Sequence, residues 1–236
     1  MTDKSTIEEI RERFDNDVER FSNLETGQVS TIDAALSLEL ITDSAKELCP
    51  DAKNLLDIGC GAGNYTLKML SKIPNLNCTL IDLSLPMLNR AKERVGNVTS
   101  GLITCLQGDI REVELEDNRY DIILAGAVLH HLRDDEDWEF VFAKLHRILK
   151  KGGCLMISDL ITQDTPLLDQ YFTKRYEQYL ADIGGHDYAR HVLAYIEKED
   201  SPRSLNFQLK LMEKVGFSHQ EILHKNICFA AYCGIK

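Results

Sequence analysis

Residues 54–66, reading NLLDIGCGAGNYT, most narrow what this chain can fold into, because they join a strand signal to a glycine-rich turn and a helix. Leu55, Leu56 and Ile58 form the short apolar run of a strand covered on both faces, which belongs in a parallel sheet. Gly59, Gly61 and Gly63 allow a tight turn and a close backbone approach to a ligand, since a Cβ would obstruct one or the other. Their spacing is G-x-G-x-G, and Asn64 falls where a dinucleotide fingerprint would carry its third glycine. Asp57, two residues before the first glycine, adds a carboxylate that suits a cationic ligand better than a pyrophosphate.

On either side of this turn the apolar periodicity alternates. Ile7, Ile10, Phe14, Val18 and Phe21 predict an amphipathic N-terminal helix broken by Gly27, and Ala34, Leu38, Ile41, Ala45 and Leu48 predict a second that ends before Pro50. After the turn come a helix over 65–73, a strand over 76–83, and a helix capped by Ser84 with Pro86 in its first turn. Asp82 ends that strand about twenty residues beyond the glycines, where an acid can accept both ribose hydroxyls of an adenosine. Strands follow at 102–107 and 120–128, then a helix over 134–150 with acids at its start and lysines at its end, then a strand over 154–161. The continuously apolar YDIILAGAV delivers Leu129, His130, His131 and Leu132 to a strand's carboxyl end, where open parallel sheets bind ligands. From 162 to about 201 the alternation gives way to a mostly helical insert. Ser201 and Pro202 are expected to open one more helix, Gly216 to close it, and strands over 217–225 and 227–235 to finish the chain.

Four landmarks now stand in order: DIGCGAG, LIDLS, QGDI and YDIILAGAVLHHL. Together they resemble the motif series of class I S-adenosylmethionine-dependent methyltransferases over residues 54–159. KKGGCLMISD resembles that family's LKPGG segment with a lysine in place of the proline. More loosely, IRERFDNDVERF and the closing LMEKVGFSHQEILHKNICFAAYCGIK resemble small-molecule members and the bacterial carboxy-S-adenosylmethionine synthase. In that synthase an arginine before the terminal hairpin holds the extra carboxylate; Leu211, with Lys210 beside it, occupies the matching position here.

The resemblance implies an α/β, Rossmann-like seven-stranded sheet, mostly parallel with an antiparallel terminal strand, helices on both faces and a small helical cap. Residues 1–50 would form an N-terminal helical lid, 51–161 and 202–236 the cofactor-binding core, and 162–201 the cap insert. It implies S-adenosyl-L-methionine as cofactor, leaving as S-adenosyl-L-homocysteine. By motif position Asp57, Gly59, Cys60, Gly61 and Gly63 surround the methionine portion, and Asp82 takes the ribose. Leu83 and Met87 lie beside the adenine, Asp109 and Ile110 complete its site, Ala125 lines the floor, and Arg13 with Phe14 closes over the cofactor. Cys60 reads as a small residue that fits the turn rather than a nucleophile.

Methyl transfer from a sulfonium requires an aligned, desolvated acceptor, and positioning can supply roughly 7 to 11 kcal/mol of the barrier. A hydroxyl or protonated amine also gains from a base, and a histidine, with a reference pKa of about 6.5, suits that role. His130 and His131 are the candidates. No metal site is expected: His186 and His191 flank Asp187 in the cap, but their spacing does not share a helix face well. The formal net charge of −11 argues against a nucleic-acid partner and for a small-molecule methyl acceptor. Seven cysteines at irregular spacing fit reduced thiols in a cytoplasmic protein, and no run is long enough to span a membrane. An aromatic-rich cap and N-terminal helices would suit a homodimer. Two other readings share the motifs: a cofactor-modifying enzyme like the synthase, and a non-catalytic S-adenosylmethionine-binding protein.

Overall fold

The computed structural model describes residues 4–23 and 27–236. Alternating strands and helices build one seven-stranded sheet: β1 (Asn54–Ile58), α4 (Asn64–Lys72), β2 (Asn77–Asp82), α5 (Leu85–Gly96), β3 (Ile103–Gln107), β4 (Tyr120–Gly126), α6 (Asp135–Ile148) and β5 (Leu149–Leu160). Before them stand α1 (Ile7–Asn16), α2 (Val18–Ser22) and α3 (Ala34–Leu48); after them come α7 (Pro166–Glu199), α8 (Leu205–Val215), β6 (His219–Asn226) and β7 (Phe229–Ile235). The strand order is β3-β2-β1-β4-β5-β7-β6, and β7 alone runs antiparallel, inserted between β5 and β6. The fold expected from the sequence is therefore the fold observed.

Strand alternation assigns the two faces. Leu56, Ile58, Ile123, Leu155 and Ile157 meet the apolar sides of α6 and α8, whereas Leu55, Ile122, Leu124 and Met156 meet α3, α4 and α5. On α6, Trp138, Phe142, Leu145 and Ile148 are fully buried, each contributing roughly 1.5 to 3 kcal/mol of transfer free energy as an upper estimate. Covering both faces leaves the carboxyl ends of β1, β2, β4 and β5 as the place where the chain turns and a ligand can enter.

Several boundaries differ from the periodicity. The N-terminal helix divides at Asp17, whose N–H bonds the Phe14 carbonyl, and Gly27 lies just past residues 24–26, which fall outside the described set. β5 begins at Leu149, directly after α6, because Leu149 already pairs with Tyr120 before the ladder shifts register. The helix expected from Ser201 starts at Leu205 instead. Ser204 supplies the cap, accepting from Phe207 N–H at 3.2 Å, while Ser201 N–H donates to the His130 carbonyl at 2.7 Å. Gly216 closes that helix in the left-handed conformation, as expected.

α7 bends back on itself at Gly185 (φ 83°, ψ 171°). Tyr176 and Leu180 of its first arm then face Ala189 and Val192 of its second, with Leu160 of β5 in the same cluster. The end of the second arm lies against the N-terminal segment: Ser5 N–H bonds the Lys198 carbonyl at 3.0 Å, and Arg13 forms a bidentate pair with Glu199.

Candidate active site

At the carboxyl end of β1 the three glycines have separate duties. All have positive φ, 61°, 50° and 84° in turn, which ordinary side chains adopt only at a cost. A Cβ on Gly59 would stand 2.5 Å from Val128 Cγ2, so this glycine lets the β1 turn pass the end of β4. One on Gly61 would meet nothing within 4 Å; this glycine lines the open cavity and gives its N–H to Asp82 Oδ2 at 2.8 Å. One on Gly63 would press on Ala91 and Val95 at 3.3 Å, so Gly63 serves the packing of the α4 start on α5 and forms no part of the cavity wall.

Two acids flank this turn in different roles. Asp82 lines the cavity and accepts from Gly61 and Ser84 N–H, while its burial pushes the carboxyl up to about 6. Asp57, assigned by motif to the methionine portion, lines no part of the cavity. Its carboxyl accepts from Thr66 Oγ1 (2.6 Å) and Thr66 N–H (3.2 Å), anchoring the first turn of α4, and burial raises it to about 7. Ala125 is likewise displaced from its expected place: it packs into the α6 side of the sheet, and Gly126 and Ala127 line the cavity instead. Gly126 is required there because a Cβ would fall 2.6 Å from the Tyr65 ring.

Next to the main cavity an apolar slot opens between the ends of β1, β2 and β3. Leu83, Asp109 and Ile110 line it with Val128 and Leu129, and Ile7 and Ile10 of α1 cover it. Asp109 is gripped by Arg111, which contacts both carboxylate oxygens (2.9 and 2.6 Å) and reaches Asp137 at 2.6 Å. Burial alone would raise Asp109, but the guanidinium outweighs it and holds the carboxyl below its ordinary range. The slot and the cavity meet at Gly59, Asp82, Leu83, Val128 and His131, while Cys60 and Met87 line the cavity side. An apolar slot, a buried acid and an open glycine turn are thus contiguous, and these residues fit S-adenosyl-L-methionine. Cys60 is buried and its thiol is pushed well up by burial, consistent with a packing role.

Past Gly126 the chain makes a 3-10 turn, Leu129–His131, held from beneath by Asp159. That carboxylate accepts from Leu129 N–H (2.8 Å), His130 N–H (3.2 Å) and Leu160 N–H (2.8 Å), and it pairs with His130 Nδ1. Asp200, one residue beyond α7, approaches both rings: its Oδ1 lies 3.2 Å from His131 Nδ1 and 3.7 Å from His130 Nε2. Burial would lower His130, but the charges of Asp159 and Asp200 outweigh it and raise the imidazole to about 9. His131 moves the other way, lowered by burial and by the neighbouring His130 charge. The two candidate bases are therefore not equivalent: His130 is clamped through Nδ1 and its imidazole is pushed up, whereas that of His131 is pushed down.

Arg13 reaches the cavity from α1, but its guanidinium is committed to Glu199 and stacked over Phe14 (4.2 Å) and Tyr195 (5.1 Å). His186, Asp187 and His191 are exposed on α7, with Asp187 paired to Arg190, and line neither the slot nor the cavity. Sequence reasoning did not assign site roles to Tyr65, Arg111 or Asp200. Tyr65 had a signal, since it follows the glycine turn by two residues. Arg111 follows QGDI directly; Asp200 comes after a long insert and carries no local signature.

This topology and a glycine-cornered cavity at the carboxyl edge define a Rossmann-like cofactor-dependent transferase. Residues 56–157 match the family described as "Methyltransferase domain", and this stretch is a class I S-adenosyl-L-methionine-dependent methyltransferase domain. The chain is 28% identical over 188 residues to a demethylmenaquinone methyltransferase of Listeria welshimeri, covering 78% of each chain. It is 27% identical over 199 residues to a carboxy-S-adenosyl-L-methionine synthase of Helicobacter pylori, covering 82% of this chain and 80% of that one. Among solved structures it resembles human N-acetylserotonin methyltransferase in complex with its cofactor (TM-score 0.58, 16% identity). That match covers 88% of this chain and 53% of the human one, so the chain spans about half the length of that structure. Among the described residues no helix is long and apolar enough to cross a membrane.

Proposed function

We propose that the chain transfers the methyl group to a small-molecule acceptor bound in the cavity beyond Gly61, between the glycine turn and the His131–Asp200 end. The observation carrying this reading is that one cavity joins the glycine turn to a wall of Phe14, Phe21, Tyr176 and Phe229, with His131 among the lining residues. When bound, the cofactor supplies a methyl already activated on its sulfonium. The protein's residues then need to hold the acceptor in line, exclude water and receive a proton where the acceptor carries one. His131 is better placed than His130 for that last task, because His130 Nδ1 is committed to Asp159. The aromatic wall suits a flat, largely apolar acceptor, and a quinone ring such as the Listeria relative's name indicates is one such shape.

By motif position, Asp82 holds the ribose, Leu83, Asp109 and Ile110 the adenine, and Gly59, Cys60 and Gly61 the methionine portion. The N-terminal helices act as a lid, and α7 as a cap that selects the acceptor. Incubation with labelled cofactor and a panel of phenols, quinols, carboxylic acids and amines tests the reading. Transfer to at least one class with release of S-adenosyl-L-homocysteine is expected; tight cofactor binding with no transfer to any would overturn it and favour a binding protein. The synthase reading has less support, because Leu211 is buried in the α6–α8 core and Lys210 is exposed outside the cavity. Mass spectrometry of ligand co-purifying with the chain separates the two: a carboxylated cofactor would favour the synthase.

A further inference from the structure

The His130–His131–Asp200 cluster holds more than a base requires. Its side chains are only 11%, 18% and 2% exposed, and all three residues line the cavity. His131 Nδ1 and Asp200 Oδ1 are both buried and lie 3.2 Å apart as a pair, without a well-formed hydrogen bond to any group. Two adjacent buried polar atoms without a well-formed hydrogen bond usually have a missing partner. A third atom, His130 Nε2, lies 3.7 Å from Asp200 Oδ1, and one ligand atom from each residue lies within 4.8 Å of the others.

The two Asp200 separations, 3.2 and 3.7 Å, lie close to those of ligands sharing one metal ion. Ligand atoms bound at about 2.0 to 2.2 Å stand about 3.0 Å apart at a right angle and about 3.5 Å apart at a tetrahedral angle. The outer shell is also present: Asp159 engages His130 Nδ1, which leaves Nε2 directed at the cluster, as carboxylate–histidine–metal arrangements require. The bond from Ser201 N–H to the His130 carbonyl ties the two chain segments that supply the ligands.

We propose that His130 Nε2, His131 Nδ1 and Asp200 Oδ1 form a facial site for one divalent transition-metal ion, such as zinc, with a remaining position open to the cavity. Two imidazoles and one carboxylate suit a borderline cation better than magnesium or calcium, which favour oxygen ligands. The binding claim stands on ligand geometry alone; a catalytic role rests on the methyltransferase reading. In that role the ion takes the acceptor hydroxyl as its fourth ligand and lowers its pKa. The O–H proton leaves to solvent, the acceptor oxygen forms its bond to the methyl carbon, and the sulfur–methyl bond breaks, its electron pair staying on sulfur. With the ion bound, the His131–Asp200 pair holds it, and this route replaces proton acceptance by His131, which belongs to the metal-free site.

The test uses the full chain, stripped with a chelator and titrated with cobalt(II) and with zinc by calorimetry, the cobalt also followed by its visible absorption. One equivalent is expected, with cobalt bands of a low-coordinate nitrogen–oxygen site. D200N and H131Q should each weaken binding by 100-fold or more, D159N by about 10- to 100-fold, and the H186A/H191A double variant not at all. S-adenosyl-L-methionine affinity of the same samples reports whether each variant is folded. The proposal is overturned if neither ion binds stoichiometrically, if cofactor-competent D200N and H131Q bind the ions as wild type does, or if H186A/H191A abolishes binding. Loss of cofactor binding by the wild type would sink the methyltransferase reading instead and leave the metal result standing.

Discussion

Asp57, within β1, and Asp82, at the end of β2, show how two carboxyls nine-tenths or more buried beside the same glycine turn come to different uses. Asp82 faces the cavity, where its charged form can accept hydroxyl hydrogens, and burial raises it to about 6. Cofactor affinity should therefore fall as pH is lowered through about 6, because protonation removes the acceptor. D82N should weaken affinity about 10- to 100-fold at pH 7.5, the loss of a charge-assisted bond, and flatten that pH dependence. Calorimetry at pH 5, 6 and 7.5 checks both, and a variant that keeps the wild-type pH profile would remove Asp82 from the site. Asp57 instead bears on stability. Its folded value near 7 lies above the ordinary carboxylate value of about 3.9, so the folded chain binds the extra proton between them. Stability is thus greatest below that window and is lost as pH rises through about 7, by up to about 4 kcal/mol for this group. Urea melts at pH 5 and pH 8 should show D57N losing less stability over that interval than wild type; equal losses would refute the assignment.

At the level of elements, the β-strands and their order of use were readable because burial on both faces writes continuous apolar runs, and glycine, proline and capping residues punctuate them. What the local pattern did not carry was the partner of each polar group. Asp57 reads as a ligand from its motif position, yet Thr66, nine residues on, takes its carboxyl. Asp159 closes the KKGGCLMISD segment, but its grip on the Leu129–His131 turn spans about thirty residues of sequence, and Asp200 joins only because α7 folds back at Gly185. The same reasoning locates a coupling between elements. Gly59 passes Val128 so closely that a side chain must push β4's end away from β1. G59A should destabilise the chain by about 1 to 3 kcal/mol, from strain at positive φ plus overpacking, and cut cofactor affinity sharply. Adding V128A should restore part of both, measured by thermal melts and calorimetry. A double variant no better than G59A would leave backbone strain alone as the cause.

Across the whole molecule, three distant parts of the chain close on one place. The N-terminal segment, the end of α7 and the turn after β4 are joined by Arg133, which donates to the Glu199 carbonyl (2.5 Å) and the Ser5 carbonyl (2.6 Å), and by the Arg13–Glu199 pair. Ile7 and Ile10 meanwhile roof the slot proposed for adenine. If the cofactor lies under these segments as proposed, it leaves only when they part, and the contacts that join them should govern its release more than its encounter. R13A and E199Q are each expected to speed dissociation of S-adenosyl-L-methionine about three- to tenfold with little change in association rate. The pair is only partly exposed (28% and 9%), so its coupling is worth about 1 kcal/mol, less than a fully desolvated pair. In a double-mutant cycle the R13A/E199Q effect should fall well short of the product of the single effects, because either substitution already breaks the same tie. Stopped-flow release kinetics supply the four rates. Strict multiplicativity would mean the two residues act separately, Arg13 on the cofactor directly and Glu199 only on α7, and the N-terminal helix would lose its role in retaining the cofactor.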